Sequence, residues 1–293
     1  VRSFREMSDY MEANRVNLVD AILEMEAVEL GCTTEKVLDG MKSRLAVMRQ
    51  SVEDGARGDW RPKIVQKDGL KMTSYRKHNN PLSGSMVSRA CEIALSVSTC
   101  NAAMGRVVAA PTAGSCGILP GVLFGWEEER MPPIDVMAQG LTVAAAIGNV
   151  IAERATLAGA EGGCQAECGA AIAMAAGALA WMETRDAAMT FEAATMSLKS
   201  IMGLVCDPVA GLVEVPCIKR NGMLVSMSFM AADMAMAGIS SVIPADEVVD
   251  ALYEVGRALP PSLRETGRGG VAASSTGKAI AARLRESAPS LED

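Results

Sequence analysis

Aromatic side chains are scarce in this sequence, 3% of 293 residues, and histidine occurs once. A large β-sheet draws on aromatic and β-branched residues, so this composition disfavours one. A single histidine leaves a mixed Cys/His zinc site little to draw on. No Cys-x-x-Cys pair occurs among the eight cysteines, so the zinc-ribbon and ferredoxin patterns are absent. There is no basic stripe either. The net charge is −7, with a pI near 5.0, which argues against a nucleic-acid partner.

Long apolar runs are also missing. A membrane-spanning helix needs ~20 predominantly apolar residues. The run 136–152 contains Gln139 and Asn149 and ends at Glu153-Arg154, and the run 169–182 is shorter. Both read as helices buried inside a globular protein, apolar nearly all round. With no secretory segment and irregular cysteine spacing, the even cysteine count reads as reduced thiols rather than disulfides. A cytoplasmic location is the expectation.

What is abundant is alanine and methionine, 20 of the latter. These are strong helix formers with small or pliable side chains. The predicted fold class is all-α: Ala/Met-rich helices packed in layers around a central helix, with metal ligands on loops. One domain over 1–293 is expected, with N-terminal helices in 1–60. A polar connector over 61–80 follows the turn-rich Gly55–Pro62 stretch. Residues 64–80 read as a flexible connector or an exposed contact arm. Helices are predicted over 3–30 with a stop at Gly31, from Thr33 or Thr34 to about Asp54, and from Pro81 toward Met104. Further helices are predicted over 118–129, 134–158, 165–182, 187–203 and 222–239, and from Pro244 to Pro260.

Three cysteines stand apart from this background. Cys206-Asp-Pro-Val-Ala-Gly-Leu-Val-Glu-Val-Pro-Cys217 is a loop rich in glycine and proline, and Glu161-Gly-Gly-Cys-Gln165 precedes it. Prolines beside Cys206 and Cys217 restrict φ, and Gly162-Gly163 permits close backbone approach to Cys164. Soft thiolates on such backbone select zinc, copper(I) or iron–sulfur. Three ligands rather than four leave one metal position open. Spacing alone leaves a second reading open, three buried structural cysteines. Cys168 lies one helical turn after Cys164 and is either packed or an extra ligand. Cys91 and Cys100 are assigned to packing, and Cys116 either lines or packs its loop or is a further ligand.

Several stretches together carry a resemblance. They are Glu161-Gly-Gly-Cys-Gln-Ala-Glu167, Cys206-Asp-Pro-Val-Ala-Gly211, Val215-Pro-Cys-Ile-Lys-Arg-Asn221, Asn101 through Gly117, and Arg264-Glu-Thr-Gly-Arg-Gly-Gly270. In order and spacing, over about 70–270, the chain resembles the iron–sulfur-dependent L-serine dehydratases, in particular their α chain. The resemblance implies that Cys164, Cys206 and Cys217 hold a [4Fe-4S] cluster whose fourth iron takes the serine hydroxyl. It implies L-serine as substrate, with pyruvate and ammonia as products. Some single-chain members end in a cysteine on that iron, whereas this sequence ends Ser290-Leu-Glu-Asp293. The second domain of single-chain members is missing as well, which implies a separate β subunit.

Dehydration requires a base for the Cα proton. The candidates are His78, otherwise a solvated surface residue, and a histidine of the β subunit, which the resemblance favours. Thr112, Gly114 and Ser115, in the Pro111–Gly117 loop, are candidates for substrate binding, as is Arg268 with Arg264 beside it. An ordinary capped turn and a surface ion pair are the plain alternatives. Other readings are a different iron–sulfur lyase, such as a cysteine desulfidase, and a non-catalytic iron–sulfur sensor or scaffold subunit.

Overall fold

The computed structural model describes residues 1–287, and the terminal Ser290–Asp293 lie outside the described residues. Thirteen α-helices are present and no strand is formed among the described residues. They are α1 (Phe4–Asn14), α2 (Leu18–Leu30), α3 (Thr34–Ala56), α4 (Asp68–His78), α5 (Gly84–Ala102), α6 (Ile118–Arg130) and α7 (Ile134–Arg154). After the four-residue α8 (Gly159–Gly162) come α9 (Ala170–Thr184), α10 (Ala187–Lys199), α11 (Cys217–Met236), α12 (Ala245–Ala258) and α13 (Ser275–Glu286). The all-α expectation holds.

The central helix is α9, whose residues from Ala170 to Met182 are all buried. A helix apolar on every face can only be an interior one. Its alanines and Gly177 let neighbours approach closely: a Cβ on Gly177 would lie 2.2 Å from Ile147 Cδ1 of α7. Helices α6, α7, α10 and α11 surround it. By length and composition α7 would span a membrane, yet 67% of that stretch is buried inside the fold.

Local chemistry sets the ends of many helices. Gly31 stops α2 in the left-handed conformation, φ 62°, and Thr33 caps α3 by accepting from Lys36 N, both as the sequence suggests. The single helix anticipated over 3–30 is two. Asn17 accepts from Asp20 N and caps a new helix, because an asparagine side chain competes well for backbone N–H groups. Asp246, in the first turn of α12, also reaches across to accept from Phe4 N and Arg5 N at the start of α1.

The 61–80 stretch differs most from expectation. It contains α4, and its entry is fixed by the buried carboxylate of Glu214, which accepts from the N–H groups of Lys63, Ile64 and Val65. Helix α4 is polar and weakly patterned, so its stability comes from ties to neighbours. Lys219 of α11 pairs with Asp68 at 2.8 Å, and Arg76 pairs with Glu92 of α5 at 2.5 Å. Likewise α11 starts at Cys217, five residues before the anticipated Gly222, so Cys217 sits on a helix rather than in a loop.

Candidate active site

Cys164 is delivered by a sharp change of direction. Gly163, φ 74°, ends α8, and Cys164 opens a π-turn over Gln165–Gly169 that runs into α9. Such turns are frequent at functional sites. The buried Gln165 side chain anchors this turn, accepting from Gly203 N and donating to Leu252 O. Within the turn, Cys168 Sγ lies 3.3 Å from Cys164 Sγ. All eight cysteines are free thiols.

Cys206 is stitched to the 264–270 stretch. Its N–H donates to Leu263 O at 2.9 Å, and Glu265 N donates to its carbonyl at 2.7 Å, forming an isolated bridge between Cys206 and Arg264. Asp207 secures both sides of this joint, accepting from Arg220 Nη2 and from Val271 N, each at 2.7 Å. The third cysteine, Cys217, is tied to the Pro111–Gly117 loop through Asn221. The Asn221 amide donates to Gly114 O at 2.8 Å and to Cys217 O at 2.9 Å, while its Oδ1 accepts from Gly117 N.

Glu167 joins that loop to the cysteines from the other side. Thr112 Oγ1 donates to Glu167 Oε1 at 2.8 Å, and Cys206 Sγ lies 3.8 Å from Glu167 Oε2. Gly159 and Gly114 line the carboxylate. A Cβ at Gly159 would stand 2.5 Å from Oε2 and 3.1 Å from Cys206 Sγ, and one at Gly114 would stand 3.0 Å from Oε1.

The sulfurs share one electrostatic environment. The thiol of Cys164 is held well below its ordinary value by donors from Cys168 and Cys206, which overcome burial, with the Arg220 guanidinium assisting. Cys168 and Cys206 are pushed up because each donates to Cys164 and is buried. Burial, followed by the charge on Cys164, pushes Cys217 up to about 12. Burial also raises Glu167 to about 7, against the donor from Thr112. One thiolate is thus favoured and the others stay protonated without added positive charge. A cationic metal centre inverts this balance, since coordinated thiols lose their protons. The soft donor set therefore fits a thiolate-ligated centre. Among the described residues, no three His, Cys, Asp or Glu side chains close around a point as ligands of one ion.

Of the candidates named from sequence, Cys164, Cys206, Cys217, Thr112, Gly114 and Ser115 come together here. Ser115 is fully buried, and its hydroxyl lies 3.2 Å from Thr112 Oγ1, so the loop's hydroxyls are engaged internally. Arg268 is exposed. His78 is exposed at the end of α4, with Nδ1 donating to Ser74 O at 2.8 Å. It belongs to the far end of α5: Arg76 bonds Ser88 there, whereas Asn101 at the other end bonds Ala113 O of the loop. Ser88 and Asn101 are about 20 Å apart along the helix. Glu167, Asn221 and Arg220 received no role from sequence. The signal available for Glu167 was its place one turn after Cys164 on a run that starts at a glycine break.

Fold and site together define an all-helical protein organised around a buried group of thiols with a carboxylate and an amide at its rim. The chain belongs to the serine dehydratase alpha chain family, whose model matches residues 13–272. A probable L-serine dehydratase alpha chain of Bacillus subtilis is 41% identical over 97% of this chain and 95% of that protein. The L-serine dehydratase alpha chain of Peptoniphilus asaccharolyticus is 40% identical over 94% of this chain and 95% of that one. L-serine dehydratase 2 of Escherichia coli is 38% identical, the match covering 84% of this chain but 50% of that longer protein.

Proposed function

We propose that this chain is the α subunit of an L-serine dehydratase, converting L-serine to pyruvate and ammonia. The observation that carries the reading is the joining of the three motif cysteines to the Pro111–Gly117 loop, through Thr112–Glu167 on one side and Asn221 on the other. Cys164, Cys206 and Cys217 would hold the cofactor, a [4Fe-4S] cluster. When bound, such a cluster with one iron free of protein ligands supplies a Lewis acid for the departing hydroxyl. The chain's own residues do the rest of the holding. Asp207 and Arg220 keep Cys206 in place against the 264–270 stretch. Asn221 keeps the loop at Cys217. The loop, with Thr112, Gly114 and Ser115, forms the wall against which serine lies.

Loss of the Cα proton and the hydroxyl leaves aminoacrylate, which tautomerises to an imine that water hydrolyses to pyruvate and ammonia. His78 is remote from the loop, so the base belongs to the second chain that the relatives' designation as alpha chains calls for. A cytoplasmic setting, reducing enough to preserve the thiols, suits this chemistry.

The test is anaerobic reconstitution followed by pyruvate assay, with and without the β chain. Full activity appears only on mixing, and a Mössbauer spectrum shows one iron perturbed by L-serine. Serine substitutions at Cys164, Cys206 or Cys217 each lower iron content. A reconstituted pair that makes no pyruvate, or a spectrum indifferent to L-serine, overturns the reading in favour of a sensor or scaffold role. Sulfide release from L-cysteine in place of pyruvate from L-serine would mark a desulfidase.

A further inference from the structure

Glu167 is exceptional among the enclosed carboxylates. Glu92 is paired with Arg76 and Arg89, and Asp207 with Arg220. Glu214 takes three backbone N–H groups. Glu167 has only a hydroxyl and a thiol as donors, and it forms no ion pair among the described residues. A carboxylate withdrawn from water without a cation is costly, and the usual remedy is a paired positive charge.

The second observation is the sign of the surroundings. Glu265, held in the left-handed conformation at φ 62°, donates its N–H to Cys206 O, so a second acidic residue stands beside the cysteine that Glu167 contacts. Arg220, the cation nearest the sulfurs, is engaged by Asp207 and Val205 O on the Cys164 side. Glu167 therefore has an acidic neighbourhood and no side-chain cation paired with it among the described residues. It lies against Thr112 and Gly114, the wall assigned above to the substrate.

We propose that Glu167 is a substrate-specificity residue whose carboxylate receives the α-ammonium group of the amino acid. The assignment rests on the reading of the site as a serine-binding one and deepens it. The ammonium completes the pairing that the fold leaves open, and Thr112 orients the carboxylate by occupying Oε1. A 2-hydroxy acid of the same skeleton, glycerate, presents no cation and gains nothing from this contact. The site would thereby select amino acids over hydroxy acids by charge rather than by shape.

The experiment compares the KM for L-serine with the inhibition constant for glycerate, both read from pyruvate formation by the cluster-loaded αβ enzyme. Wild type and Glu167→Gln are compared, with iron content and far-UV circular dichroism as checks on the fold. The expected result is a rise of about 100-fold in the KM for L-serine in the variant, with the inhibition constant for glycerate unchanged. Glu167→Asp retains the preference for L-serine. Equal weakening of both ligands would mark a purely structural role and overturn the assignment, as would no change in either. The wild-type comparison is decisive even if the Gln variant fails to fold: a KM for L-serine no lower than the inhibition constant for glycerate overturns it. Failure of the wild-type pair to form pyruvate is a separate result and strikes the functional reading itself.

Discussion

The amide nitrogen of Gly117 donates to Oδ1 of Asn221 at 2.9 Å, in a fully enclosed position. This one side chain also serves Gly114 and Cys217, so it sets the distance between the loop and the third cysteine. Replacing Asn221 with alanine leaves the Gly117 N–H and the Gly114 carbonyl short of partners. A buried unsatisfied group costs ~1–3 kcal/mol. Asn221→Ala should lose about 3 kcal/mol in urea unfolding, and iron bound per chain should fall with it.

Glu214 supports a different part of the molecule. It accepts three consecutive N–H groups from Lys63 to Val65, which makes it the anchor of the 61–66 stretch. Glu214→Ala should cost about 3 kcal/mol by the same reasoning. Limited proteolysis with trypsin should cut fastest after Lys63 and Lys67 in the variant and spare them in wild type. Unchanged cleavage at these sites would refute the anchoring role.

Two glycines test the space around Glu167 in a graded way. A methyl group at Gly159 would stand 2.5 Å from the carboxylate, and one at Gly114 would stand 3.0 Å from it. Gly159→Ala should disturb Glu167 and Cys206 together, since that methyl also meets the Cys206 sulfur, and iron retention should drop severely. Gly114→Ala should retain most of its iron and show a raised KM for L-serine. The reverse order would refute this packing.

The pair between Asp68 and Lys219 predicts an acid limb. Burial opposes ionisation of Asp68, but the ammonium groups of Lys219 and Lys71 outweigh it and hold the carboxyl below its ordinary 3.8. A depressed carboxyl stabilises the fold above its unfolded value and loses that contribution as pH falls through the folded one. Wild type should therefore shed stability from about pH 4 downward. Asp68→Asn should be less stable at neutral pH and flatter over that acid range. As the site is partly open to solvent, the difference should be about 1 kcal/mol or less. Thermal melts from pH 6 to pH 2.5 measure it.

Much of the helical framework was legible because its causes are local. The burial of α9 follows from an apolar composition on all faces, and the ends of α2 and α3 follow from Gly31 and Thr33. The split at Asn17 was missed because a short polar break in an amphipathic run reads as continuous. Helix α4 was missed because its own sequence barely favours a helix, and its fixation depends on Glu214, Lys219 and Glu92, all distant in the chain.

The same division runs through the site. The motifs single out Cys164, Cys206, Cys217 and the Pro111–Gly117 loop, because prolines, glycines and soft ligands leave marks that can be read residue by residue. Which of these groups meet is a matter of tertiary structure. Thr112 and Glu167 are 55 positions apart, and Gly117 and Asn221 are 104 apart. Hydrogen bonds of such span carry no local periodicity. The sequence by itself determined the all-α class, the central helix and the sulfur ligands on offer. Only the packing of α5, α9 and α11 decided that Glu167 faces the loop without a cation and that His78 stands far from it, because a side chain's partners are set by which helix ends the core brings together.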